Sequence, residues 1–114
     1  MTMEYPSSLP WGDAVIGAAN ATLGQLRTIY PEKTEEQIRK MLGITPMLGR
    51  NVNGRKFEIE HAHQLVAWAN ENKIGYLSFW SLSRDNGDCM DIVSPYCSGM
   101  KVFYLLLNKV KLLI

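Results

Sequence analysis

Apolar positions in this chain alternate between two periods. From residue 13 to residue 30, Ile16, Ala19, Leu23, Leu26 and Tyr30 recur every three or four positions, which puts them on one face of a helix. Asp13 is placed to cap the start of that helix, and Pro31 ends it. A second, shorter helix is predicted from Thr34 toward Gly43, because Thr34 and Gln37 have capping-box spacing and Glu35 and Glu36 suit the positive end of a helix dipole. A third covers about residues 59–72 with Ala62, Leu65, Val66 and Ala69 turned inward.

Short apolar runs separate the helices. Residues 44–48 read as a strand buried on both faces, provided the donor missing at Pro46 falls at an edge or near the strand end. Residues 74–80, Ile-Gly-Tyr-Leu-Ser-Phe-Trp, read as another strand that ends in an indole and opens into a polar loop. Residues 1–5, Met-Thr-Met-Glu-Tyr, precede a loop with two prolines and two serines and make a first strand. Asn53-Gly54 marks a turn in the polar stretch 50–55, and a terminal helix is expected from Lys101.

The predicted order is strand, helix, helix, strand, helix, strand. That order suits parallel strands joined by right-handed crossovers. Strand starts near residues 1, 43 and 74 fit the ~31 residues that a (β/α)8 barrel of ~250 residues spends on each unit. The predicted fold class is therefore α/β, a partial (β/α)8 TIM barrel of about three strand-helix units. A strand that delivers an indole to its C-terminal end, with charge just beyond, is a means by which barrel enzymes build a floor for a sugar.

Composition narrows the function classes. With 114 residues, 46% of them hydrophobic and 20% charged, the chain is one domain's worth of ordinary globular sequence. Twelve basic and eleven acidic side chains leave a formal charge of +1, so no field favours nucleic acid or an anionic membrane surface, and a neutral ligand suits the balance. The most apolar tract, residues 102–114, is interrupted by Asn108, Lys109 and Lys111 and falls short of the ~20 residues a spanning helix needs. The N-terminus has neither the basic region nor the apolar run of a secretory signal, which leaves localisation unassigned.

Several residues invite metal or redox readings. Cys89 and Cys97 are eight positions apart, a spacing open to a disulfide or to two free thiols, and no metal site follows from it. His61 and His63 stand two apart on a predicted helix and so point ~200° away from each other, which prevents a shared metal. Asp85, Asp88 and Asp91 lack the alternating ligands and final glutamate of a calcium loop, and a polar turn around Asn86-Gly87 is the better reading. No cofactor is called for. Trp80 is either a ligand platform or core, Trp68 reads as packing, and Trp11 is open between packing and an extension of a sugar groove.

Three motifs taken in order, Met-Thr-Met-Glu-Tyr, Thr-Pro-Met-Leu-Gly-Arg-Asn and His-Gln-Leu-Val-Ala-Trp-Ala-Asn followed by Leu-Ser-Phe-Trp-Ser-Leu-Ser-Arg-Asp, resemble glycoside hydrolase family 18, the chitinase family. The likeness covers roughly residues 1–100 and matches the sixth, seventh and eighth strands of that family's barrel, whereas residues 101–114 depart from the pattern. It implies a retaining glycosidase acting on β-1,4-linked N-acetylglucosamine, in which the substrate's own acetamido oxygen attacks the anomeric carbon. The proton donor of the family lies in an Asp-x-x-Asp-x-Asp-x-Glu motif, which these 114 residues lack.

Carried over by position, the resemblance assigns Glu4 and Tyr5 to the catalytic contacts with the acetamido group, Glu4 being one methylene longer than the usual aspartate. It assigns Met1, Met3, Trp80 and Asn51 to substrate binding, with the indole as sugar floor. Asn51 is the first residue of a pair that is Asn-Asp in the family and Asn51-Val52 here. The expected ligand is chitin or an N-acetylglucosamine oligosaccharide, and no turnover is expected from this chain alone. The alternatives are a non-catalytic chitin-binding remnant and an unrelated barrel enzyme that ignores sugar. Family members are typically secreted. Coincidence of Met1 with a motif methionine suggests a truncated reading frame, a partial gene or an error in the predicted gene. Unpaired strand edges imply self-association.

Overall fold

The computed structural model describes residues 1–3, 7–86, 89 and 92–99. Helix α1 spans Trp11–Ile29, α2 Glu35–Met41 and α3 Ile59–Glu71; the strands are β1 Gly43–Ile44, β2 Gly49–Arg50, β3 Lys56–Phe57 and β4 Tyr76–Leu77. The architecture is mixed α/β. The predicted terminal helix from Lys101 lies outside the described residues, as do Asp88 and Asp91.

Helix α1 begins three residues before the position expected. Pro10 is its N-cap, and the Ala14 amide donates to the Pro10 carbonyl at 2.9 Å. A proline fits here because its missing N–H is not needed where helical donors have no partner. Asp13 is thus a first-turn residue and not the cap; its carboxylate accepts a hydrogen bond at 2.6 Å from Gln64 of α3. Trp11, Ala14, Val15, Ala19 and Leu23 are buried, with Ile16, Leu26 and Tyr30 packed at the margin of the same core.

The capping box of α2 forms as its spacing predicts. Thr34 Oγ1 accepts from the Gln37 amide at 3.2 Å, and Gln37 Oε1 accepts from the Thr34 amide at 2.9 Å. At α3 the same device uses a histidine: His61 Nδ1 accepts from the Glu58 amide at 3.1 Å. One ring nitrogen of the histidine pair is therefore engaged in a cap. Among the described residues no group of His, Cys, Asp and Glu could hold a metal ion.

The chain segments around β1 and β4 run parallel, with Gly43 beside Tyr76, Ile44 beside Leu77 and a further bridge between Met47 and Trp80. Amides of Tyr76, Ser78 and Trp80 donate to the carbonyls of Leu42, Ile44 and Pro46. In the regular alternation residue 46 would return a bond to Ser78, and Pro46 has no N–H to do so. That single gap separates the regular ladder at 43–44 from the bridge at 47. On the other side of this segment the Thr2 amide donates to the Thr45 carbonyl at 3.0 Å, which orders the three segments as 1–3, 43–48 and 74–80.

Side chains of residues 76–80 alternate cleanly between faces. Leu77 and Phe79 pack against the helical core, whereas Tyr76, Ser78 and Trp80 face outward. Ser78 Oγ lies 2.6 Å from Thr45 Oγ1, so the two strands share this open face. The core beneath contains Ile38, Leu42, Ile44, Leu48, Phe57, Ala62 and Leu65 beside the α1 stripe. Trp68 packs at its margin, as the sequence pattern predicts. No helix among the described residues is long and apolar enough to cross a membrane.

The start of the 74–80 segment is seated on the end of α2 by Gly75. Its amide donates to the Arg39 carbonyl at 3.0 Å, and a Cβ added at this position would overlap the Lys40 carbonyl. Backbone cannot retreat as a flexible side chain can, so Gly75→Ala is expected to cost about 2 kcal/mol. Urea unfolding checks this: an unchanged midpoint would show that the segment shifts freely.

Glu35 links α1 and α2 on the surface. Its carboxylate accepts from Arg27 Nε at 2.8 Å and from Arg39 Nε at 2.7 Å. The hydrogen bond from Arg27, reinforced by that from Arg39, holds the carboxyl at about 2, below its ordinary 4.5. The folded value is lowered, so the contribution is fully present above the ordinary value of 4.5 and disappears as pH falls toward about 2. Melting temperature measured from pH 5 to pH 2 should therefore fall less steeply for Glu35→Gln, and added salt should shrink the difference because the site is solvated.

Candidate functional site

Two loops leave the C-terminal ends of the parallel pair and meet there. After residues 43–48 the chain turns into the antiparallel hairpin of β2 and β3, with Gly49 beside Phe57 and Arg50 beside Lys56. The sequence pattern predicts only a polar loop and a turn here. The Asn51 amide donates to the Arg55 carbonyl at 2.8 Å and the Gly54 amide to the Asn51 carbonyl at 3.0 Å, which closes the expected Asn53-Gly54 turn. After residues 74–80 the chain enters a short 3₁₀ turn, Leu82–Arg84.

Trp80 stands between these loops. Its amide donates to the Pro46 carbonyl and its carbonyl accepts from the Leu48 amide, each at 2.8 Å, and the peptide to Ser81 is cis. The backbone is thereby held on both sides of the indole. The residue is nonetheless 54% exposed. An indole fixed at its base and open at its face suits stacking on the apolar face of a pyranose ring.

Arg84, part of the Trp-Ser-Leu-Ser-Arg-Asp motif but given no role by it, organises the rim. It is fully buried, and its Nη2 donates to the Leu48 carbonyl and to the Arg50 carbonyl, both at 2.9 Å. Nη1 donates to the Ser94 carbonyl. One planar guanidinium therefore joins the loop after the first strand, the loop after the second and the distal segment 92–99. A lysine would lack the fork that reaches several carbonyls together.

The distal segment is anchored further. The Arg50 amide donates to the Ser98 carbonyl at 2.7 Å, and the Ser98 amide donates to the Asn86 carbonyl at 2.9 Å. Cys89 and Cys97 form a disulfide, which resolves the alternative left open by their spacing. Gly49, at φ +67°, lies so close to Ser98 that a Cβ there would overlap the Ser98 carbonyl. Only glycine combines that backbone angle with that approach.

The sequence-derived candidates separate into groups. Asn51 is completely buried; its Nδ2 donates to the Met47 carbonyl at 3.0 Å and the Gly49 carbonyl at 2.9 Å, so it shapes the turn from beneath. Its Oδ1 is buried and has no hydrogen-bond partner among the described residues. Val52, the next residue, is exposed. Met1 is exposed and Met3 half-buried on either side of buried Thr2, the accessibility pattern of an alternating strand. Glu4 and Tyr5 lie outside the described residues.

Trp11 does not extend a groove. It is 3% exposed, and the Arg55 guanidinium lies 4.7 Å from its ring centroid. Arg55 also donates to the Ser7 carbonyl at 2.8 Å and the Leu9 carbonyl at 2.6 Å. The helix starts early enough to turn Trp11 into the core, and Arg55 covers what the core does not.

Comparison with known proteins gives a consistent set. No protein-family profile matches the chain. It is 36% identical over 96 residues to "Endochitinase 11" of Metarhizium anisopliae, covering 75% of this chain and 18% of that protein. It is likewise 36% identical over 102 residues to the "Probable bifunctional chitinase/lysozyme" of Escherichia coli (strain K12), covering 75% of this chain and 11% of that protein. A crystal structure of active domain 2 of chitinase from Pyrococcus furiosus superposes with a TM-score of 0.87 at 41% identity, covering 96% of this chain and 36% of that one. The chain spans a small part of its curated relatives and about a third of the solved domain. The chain is thus a chitinase-like segment, similar to part of a chitinase catalytic domain.

Proposed function

We propose that residues 1–100 form the last three strand-helix units of a partial (β/α)8 barrel, with residues 101–114 a divergent segment, and that the chain recognises chitin or N-acetylglucosamine oligosaccharides. The observation that carries this reading is Trp80, exposed at the C-terminal end of a parallel strand with its backbone clamped on both sides. A barrel is supported by the open face of Tyr76 and Ser78, since parallel strands are ordinarily covered on both faces. Sugar recognition is supported by a second Pyrococcus furiosus chitinase structure, a catalytic-site mutant complexed with chito-oligosaccharides, at 40% identity.

In the parent activity the acetamido group of the substrate acts as nucleophile and the β-1,4 linkage is hydrolysed with retention. Tyr5 donates its phenolic hydrogen to the acetamido oxygen, Glu4 orients the same group, and Met1 and Met3 line the pocket beside the Trp80 floor. Asn51 contributes as a positioning residue by holding the turn that flanks that floor. The sequence has no Asp-x-x-Asp-x-Asp-x-Glu proton donor, and general acid catalysis alone typically supplies ~10²–10⁴ in rate. The chain by itself therefore binds without turning over, and the strand edges that have no neighbour among the described residues favour self-association.

Retention on chitin beads run beside a fluorogenic chitooligosaccharide assay tests this. Retention without fluorophore release is the expected result. Release would restore an enzyme reading, and absence of both would remove the sugar from the account.

A further inference from the structure

Among the described residues, six of the eleven exposed large apolar side chains share one end of the fold. Val52, Trp80, Leu82, Ile92, Val93 and Tyr96 all lie on the two loops beyond the C-terminal ends of the parallel strands. Tyr96 is the most exposed of these, at 77%. An aromatic ring so open to water usually sits on a loose loop, yet the backbone around this one is tied on every side.

The Tyr96 amide donates to Ser94 Oγ at 3.1 Å, and its carbonyl accepts from Asn86 Nδ2 at 2.5 Å. The preceding carbonyl, of Pro95, accepts from Ser83 Oγ at 3.0 Å, and Ser83 Oγ in turn lies 2.9 Å from Ser81 Oγ, next to Trp80. Cys97, the following residue, is covalently joined to Cys89. Ser94 is one of the three carbonyls held by buried Arg84. A continuous set of bonds thus links the base of Tyr96 to the base of Trp80.

We infer that Tyr96 is a second sugar platform, which engages a saccharide unit beyond the one on Trp80 and makes the site selective for longer chains. The inference rests on the reading that Trp80 receives an N-acetylglucosamine ring. A ring presented rigidly stacks without first losing the freedom of its loop, so its contact area converts to affinity with little ordering cost. The phenol offers an apolar face for a pyranose and a hydroxyl for its polar edge. A ligand too short to reach both rings gains nothing from the second.

Binding by the full chain of the N-acetylglucosamine disaccharide and hexasaccharide, followed by calorimetry, tests the inference in wild type, Tyr96→Ala, Tyr96→Phe and Trp80→Ala. Tyr96→Ala is expected to weaken the hexasaccharide about three- to tenfold while leaving the disaccharide and the melting temperature unchanged. Tyr96→Phe should keep most of the preference for length, which a purely structural role would not predict. Trp80→Ala should weaken both ligands. Equal hexasaccharide affinity in wild type and Tyr96→Ala, with Trp80→Ala impaired, overturns the second platform and leaves the first standing. A wild type that binds neither sugar overturns both.

Discussion

Arg84→Met is expected to destabilise the chain by about 3 kcal/mol or more. Methionine fills much of the same volume, so the loss comes from the carbonyls of Leu48, Arg50 and Ser94, which would be left without their donors. A buried acceptor deprived of its partner costs about 1–3 kcal/mol, a figure that applies most fully to the Leu48 carbonyl, the other two being part-buried. In a domain of this size that corresponds to a fall in melting temperature of roughly 10 °C or more. Arg84→Lys separates charge from geometry: a lysine keeps the positive charge but not the planar fork, and should recover only part of the loss. If Arg84→Met melted within 2 °C of the parent, the loops would have to be held together by something other than the guanidinium.

Trp80→Ala is expected to leave stability nearly intact and to remove sugar binding. Residue 80 is 54% exposed, and the contacts that fix it are made by its main chain, which alanine retains. Loss of a stacking face of this size should weaken N-acetylglucosamine oligosaccharides by a factor of ten or more, equivalent to at least ~1.4 kcal/mol. Trp11→Ala is the opposing control, since Trp11 is 3% exposed and forms part of the core. Its removal should cost about 3–5 kcal/mol of stability. Retained sugar affinity in folded Trp80→Ala would contradict the platform.

The two tryptophans show why local pattern alone assigns roles unevenly. Both Trp11 and Trp80 follow or end a short polar or apolar stretch near a strand end, and both were candidates for sugar contact. The difference lies in where helix α1 begins. Once Pro10 caps it, Trp11 occupies the first turn and rotates inward, where Arg55 from a distant hairpin closes over it. Nothing near Trp11 in the sequence announces Arg55.

Arg84 and Asn51 make the same point for polar side chains. Each lies in a stretch whose composition reads as solvated loop, and each is completely buried. Their partners are backbone carbonyls, which carry no residue identity, so the motifs that contain Arg84 and Asn51 do not announce their burial. The hairpin of β2 and β3 escaped the sequence reading because its strands are two residues each and show no alternation long enough to register.

What the sequence determined by itself was the set of three helices, the capping box at Thr34, the order of the helices and of the parallel segments 43–48 and 74–80, and the indole at a strand end; all are governed by interactions within a few residues. The tertiary structure decided which polar groups are buried, that Cys89 and Cys97 are joined, and that the loops after two different strands share one rim. These depend on chain segments tens of positions apart meeting in space. Desolvation and backbone hydrogen bonding act only once they have met.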